Sequence, residues 1–186
     1  MSLQLLQAPL HPSQTFWRKP HLISSRIPKA YHHWLLDQGS LTQKLIAQSG
    51  GQLRVQVLQQ RIQKARLSER QALGLPHRHW AVIREVILFG HHTPWVYART
   101  VIPLSTLRGP LRRLHYLGNK PLGEQLFTDP TMRREPVQVA QLHRQQLPDP
   151  LPQFQSTWGR RSVFRLSGKP LLVSEIFLPE LIQHRY

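Results

Sequence analysis

The chain has 186 residues, 40% hydrophobic and 18% charged, a length and balance that suit one globular domain with a real core and would be cramped for two. It contains no cysteine, which excludes disulfides, a thiol nucleophile and a cysteine-ligated zinc or iron–sulfur centre, and no run approaches the roughly 20 apolar residues of a membrane span. The net charge of +16 divides into +9 over residues 1–90 and +7 over 91–186, so it is a spread field that attracts anions rather than a basic tail.

Residues 1–28 hold four prolines and little periodicity, and we expect an irregular N-terminal arm there, followed by one domain over 29–186. The first residues have no basic n-region or continuous apolar run, so no signal peptide is expected. "YHHWLLDQ" (31–38) reads as a short helix and "GSLTQKLIAQSGG" (39–51) as a second, with Ser40 as N-cap, Gln43 completing a capping box and Gly50-Gly51 ending it. The period then changes to two. "QLRVQVLQQ" (52–60), "HWAVIREVILFG" (79–90) and "TPWVYARTVIP" (93–103) read as strands, the last two joined by "GHHT". "GPLRRLHYLG" (109–118) and "KPLGEQLF" (120–127) read as short helices opened by prolines. "HRQQLPDPLPQF" (143–154) reads as a surface loop, and "RRSVFRLSGKPLLVSEIFLP" (160–179) as a hairpin turning at Gly168-Lys169-Pro170. Hairpin-linked strands with helices packed on the sheet make an α+β domain.

Two strands carry a charge among apolar neighbours. In "KPLLVSEIFLP" both faces are apolar, so the strand is covered on both sides and Glu175 points into a dry interior. A carboxylate there is either half of a structural ion pair or a member of a functional site. Arg84 in "WAVIREVILF" poses the same alternative, a buried guanidinium that needs an internal acid such as Glu175 or Glu85, or an anionic ligand. The helix starts at Leu41 and Leu122 offer backbone N–H groups free of intrahelical partners. The pairs His32-His33, His77/His79 and His91-His92 lack a third and fourth ligand at metal spacing and read as solvated side chains, so no metal is expected. No GxSxG, HExxH or P-loop occurs, and no zinc finger, RNP-like motif or long basic helix, so no nucleic acid partner is expected.

"REVILFG", "PWVYARTVIPLSTLRGP", "LGNKPLGEQLF" and "WGRRSVFRLSGKPLLVSEIFLP", in that order and spacing, resemble the chorismate lyase family over about Trp34 to Leu178. The resemblance implies a six-stranded antiparallel sheet with helices on one side and helical flaps over a buried site. It further implies elimination of pyruvate from chorismate to give 4-hydroxybenzoate, an early step towards ubiquinone, with no cofactor and with slow release of the product. Carried over by position, it assigns Arg84 to the ring carboxylate, the family's acid to Glu175, and backbone contacts to Leu122 in "PLG" and Leu41 in "SLT", where the family has "SMT". We expect Glu175 to contact the hydroxyl and to act in proton transfer or alignment, the other route being a concerted internal hydrogen transfer that needs no base. Arg99, on the neighbouring strand, is the nominee for the second carboxylate of chorismate. The expected protein is a cytoplasmic monomer. The family's fold is similar to ligand-sensing domains of transcription regulators, so a non-catalytic binder of aromatic acids is the alternative, and a basic adaptor on nucleic acid or membrane is a third reading.

Overall fold

The computed structural model describes residues 15–77 and 79–183. The part of the expected arm before residue 15 lies outside the described residues, as do the last three positions of the expected domain. Two 3₁₀ turns, Pro20–Leu22 and Ser24–Arg26, lead into α1 (Lys29–Leu35) and α2 (Leu41–Gln48). The cap read from the sequence is present, the Gln43 N–H donating to Ser40 Oγ at 3.4 Å. Then come β1 (Leu53–Lys64), α3 (Leu67–Leu73), β2 (Trp80–Gly90) and β3 (Thr93–Pro103). A 3₁₀ helix at Gly109–His115 and α4 (Leu122–Phe127) precede two short strands, β4 (Arg133–Arg134) and β5 (Gln138–His143). The long hairpin of β6 (Ser156–Leu166) and β7 (Lys169–Phe177) and the short α5 (Pro179–Gln183) complete the described chain.

All strands join one antiparallel sheet in the order β1-β2-β3-β7-β6-β4, with β5 also paired to β6. Six strands were expected and seven are present among the described residues, of which β4 spans only two residues. β7 lies between β3 and β6, which is why its sequence is apolar on both faces. On one face α1, α2 and α5 bury Trp34, Leu35, Leu45 and Leu181 against Val86, Val96 and Phe177. Beside them the 3₁₀ helix and α4 bury Leu111, Leu114 and Leu126 against Val82, Phe164 and Leu171.

The expectation of helices on one side needs amending. α3 covers the opposite face, packing Leu73 against Ala81, Ile83, Val101 and Leu172. The proline-rich stretch beside it is not a free surface loop either, since Leu147 and Leu151 are buried against Tyr97, Leu142 and Ile176. The hairpin turn also falls earlier than expected. Ser167 and Gly168 both have positive φ (48° and 76°), as a two-residue turn matched to strand twist requires, and Pro170 already stands opposite Arg165 in the ladder.

Candidate active site

The antiparallel register decides which side chains meet. Val86, Ala98, Glu175 and Arg160 are successive cross-strand partners, so all four project from the same face of β2, β3, β7 and β6. One pleat further along, Arg84 and Thr100 are partners on that face. Over this surface α2 and α4 meet, and the space between sheet and helices is a cavity lined by Arg84, Glu175, Leu41, Leu122, Thr100 and Thr42, among others. It is tight, about 40 Å³ in volume. Arg84 and Glu175 stand two strands and two residues apart, an offset of roughly 12 Å between Cα atoms, and both line the cavity.

The close approach of the helices depends on Gly123. A Cβ at that position would lie 2.4 Å from Thr42 Oγ1 and 3.2 Å from Thr42 Cβ, so any larger residue pushes α4 away from α2. The amides of Leu41 and Leu122, at the first positions of the two helices, have no partner within their own helices. Pro121 supplies no side-chain cap to α4. Both N–H groups therefore belong to residues that line the cavity.

Arg84 is buried, 2% exposed, and has no carboxylate within ion-pair distance among the described residues. Its Nη2 donates to the carbonyls of Gly118 at 2.8 Å and Lys120 at 3.1 Å, while its Nε is buried without a partner. Burial alone pulls its pKa down from the usual arginine value. An unpaired buried guanidinium with a spare donor is costly to keep, and an anion in the cavity would relieve that cost.

Glu175 is held differently. Arg160 Nε donates to its Oε2 at 2.6 Å, and Arg160 is itself fixed by donating Nη1 to the carbonyls of Trp34 at 2.8 Å and Asp37 at 2.7 Å. No protein donor reaches Oε1 among the described residues. Thus one carboxylate oxygen is anchored and the other is free to accept from a ligand. Arg134 completes the charged lining, its Nε donating to Ser162 Oγ at 3.1 Å and its Nη1 to the carbonyls of Asp37 and Gln38. Burial, and then the positive charge of Arg160, hold its pKa below the usual value.

Of the residues singled out in the sequence, Arg84, Glu175, Leu41 and Leu122 come together around this cavity and Arg99 does not. Arg99 follows Ala98 on β3 and so projects from the opposite face, where its Nε donates to Glu69 at 2.6 Å and its Nη1 to Glu85 at 2.5 Å. Both its ends are occupied, and the sheet lies between it and the cavity. Sequence reasoning missed Arg160 and Arg134. "GRRS" stood within a quoted motif, and the true hairpin register would have set Arg160 opposite Glu175.

A sequence profile described as Chorismate lyase matches residues 11–185. The chain belongs to the chorismate lyase family. It is 39% identical over 170 residues to a Pseudomonas aeruginosa protein named "Probable chorismate pyruvate-lyase", covering 91% of this chain and 94% of the relative. An Aromatoleum aromaticum protein of the same name is 36% identical over 181 residues, covering 92% and 95%. Among solved structures, the effector domain of PhnF from Mycobacterium smegmatis matches with a TM-score of 0.54 at 14% identity, over 77% of this chain and 91% of that one. A GntR-family transcriptional regulator from Bacillus cereus gives 0.52 at 14% identity, over 69% and 93%. At that identity the likeness concerns the fold alone. No helix among the described residues is long and apolar enough to cross a membrane, and they contain no cluster of metal-ligating side chains.

Proposed function

We propose that this family member converts chorismate to 4-hydroxybenzoate and pyruvate in the cavity between Arg84 and Glu175, as a cytoplasmic enzyme early in ubiquinone formation. The observation that carries the reading is charge. Three arginines and one carboxylate line the cavity, a balance of two positive charges against a substrate with two carboxylates. Arg84 Nε, with the amides of Leu122 and Leu41, clamps the ring carboxylate. Arg134, in place of Arg99, serves the carboxylate of the enolpyruvyl group, and the free Oε1 of Glu175 accepts from the ring hydroxyl.

The ether bond to the ring breaks with its electron pair leaving on oxygen, and the hydrogen on the hydroxyl-bearing carbon is lost. The electron pair of that C–H bond enters the ring, which becomes aromatic, and the departing enolate takes up a proton at its methylene carbon, in exchange for the one released, to become pyruvate. Aromatisation drives the reaction, so the protein's share is to orient the substrate, exclude water and stabilise the charge growing on the enolpyruvate oxygen. A closed cavity that suits the planar product also favours slow release and inhibition by 4-hydroxybenzoate.

The test is to incubate purified protein with chorismate and a chelator and to quantify both products, with Glu175→Gln in parallel. Equimolar pyruvate and 4-hydroxybenzoate, with turnover at least about a hundredfold lower in the variant, fits loss of a residue in direct contact with the reacting group. Binding of 4-hydroxybenzoate without turnover of chorismate would instead favour the sensor reading.

A further inference from the structure

The face of the sheet opposite the candidate active site carries a row of polar side chains that the proposed reaction does not use. Gln59, Glu85, Arg99, Ser174, Arg161 and Gln138 are successive cross-strand partners from β1 to β5, so they form one continuous line across six strands. At the β2–β3 end every charged side chain has an ionic partner. Arg99 is shared between Glu69 and Glu85, and Gln59 donates to the second oxygen of Glu85.

At the β6 end the row is open. Arg161, 7% exposed, donates Nε to Gln138 Oε1 at 2.7 Å and Nη1 to the carbonyl of Ser68 at 3.3 Å, and no carboxylate lies within ion-pair distance among the described residues. Burial pushes its guanidinium pKa down to about 10, with Glu69 only partly opposing. The guanidinium lies over the ring of Trp17, 4.9 Å from its centroid. Between the two arginines stands Ser174, a side chain too small to fill the gap. The space over it is a cavity of about 750 Å³, lined also by Leu147, Ile176 and the exposed Gln145.

We propose that this far-face cavity is a second ligand site, taking a small organic carboxylate whose anionic end sits over Ser174 against Arg161 and whose apolar body lies between Trp17, Leu147 and Ile176. Arg99 is outweighed by its two acids, and Arg161 together with the exposed Arg66 on the cavity wall brings the balance to one positive charge, which matches one carboxylate. Neutral and cationic ligands of the same shape leave the charge of Arg161 buried and are rejected. The inference does not depend on the activity proposed above, because the sheet separates the two cavities.

Benzoate is the probe, with benzylamine as the cationic control. The readout is the indole N–H signal of Trp17 in a ¹⁵N spectrum, assigned through Trp17→Phe, together with calorimetric stoichiometry. Saturable movement of that signal by benzoate but not benzylamine, with at least one benzoate bound per chain, is expected. Arg161→Met should weaken the Trp17 response at least tenfold while leaving turnover of chorismate unchanged. Gln145→Glu, a surface change that adds a negative charge at the rim, should weaken it in the same direction and guards against misfolding of the first variant. A Trp17 signal that benzoate does not move, that moves equally in both variants, or that responds equally to benzylamine overturns the proposal.

Discussion

Replacing Arg84 by methionine separates a ligand-binding arginine from a structural one, because the two roles predict opposite balances of stability and affinity. Methionine keeps the length of the side chain and removes the buried charge. In the ligand-free protein the variant loses the bonds from Nη2 to the Gly118 and Lys120 carbonyls, but both residues are exposed and water can replace the donor. It also loses the cost of the unpartnered Nε, about 1–3 kcal/mol for a buried donor. The two effects offset, so ligand-free stability should change by no more than about 1 kcal/mol, a shift of roughly 2–4 °C in Tm for a chain of this size. Affinity should respond far more strongly. Removing the cation from a buried, hydrogen-bonded carboxylate costs about 2–5 kcal/mol, which is roughly 30-fold to several thousandfold in Kd. Calorimetric titration with 4-hydroxybenzoate and scanning calorimetry of the free protein measure both quantities. An affinity within twofold of wild type, or a loss of several kcal/mol of ligand-free stability, would refute the assignment of Arg84 as a ligand clamp.

Arg160→Met leaves Glu175 partly buried without its cation and should lower stability by about 3–5 kcal/mol in urea unfolding. Adding Glu175→Gln should recover much of that loss while activity stays low. Gly123→Ala sets a methyl 2.4 Å from Thr42 Oγ1, so α2 and α4 must part. Overpacking of about 1–3 kcal/mol should appear as roughly tenfold weaker product binding, restored by the double variant Gly123→Ala/Thr42→Ala. Acid stability should depend on Glu85. Burial raises the pKa of its carboxyl, but bonds from Gln59 and Arg99 outweigh that and hold it below its ordinary 4.5. Its contribution is then full above pH 4.5 and is lost as pH falls through the lower folded-state value, so Glu85→Gln should flatten the fall in unfolding free energy below pH 4.5.

Much of the site was legible because a strand's two-residue period is strict. Alternation placed Glu175 and Arg84 among apolar side chains, and a charge in that setting demands a partner whatever the fold. The errors came from register and facing. The hairpin turn was expected at Gly168–Pro170 and forms at Ser167-Gly168, and a shift of that size realigns every cross-strand pair, which hid the bond between Arg160 and Glu175. Arg99 was chosen for being on the neighbouring strand, but its partner on β2 is Glu85, whose side chain leaves the sheet on the side away from Arg84.

α3 gave too little signal in seven residues, and its Glu69, read alone, looks like a surface acid rather than a buried partner of Arg99. The proline-rich segment was misread because turn-forming residues mark the path of the backbone and not the burial of Leu147 and Leu151 between them. Leu41 and Leu122 were legible as helix starts, and the family resemblance added their role as backbone contacts. A helix start shows that N–H groups are available, and only the fold shows that two such starts face one cavity.

The most direct test of the account is a crystal structure of the protein with bound 4-hydroxybenzoate. The product should lie between the sheet and helices α2 and α4, its carboxylate within hydrogen-bond distance of Arg84 Nε and the Leu122 amide, and its phenol oxygen at Glu175 Oε1. Product held in the reverse orientation, or found outside this cavity with Arg84 Nε still unpartnered, would contradict the account.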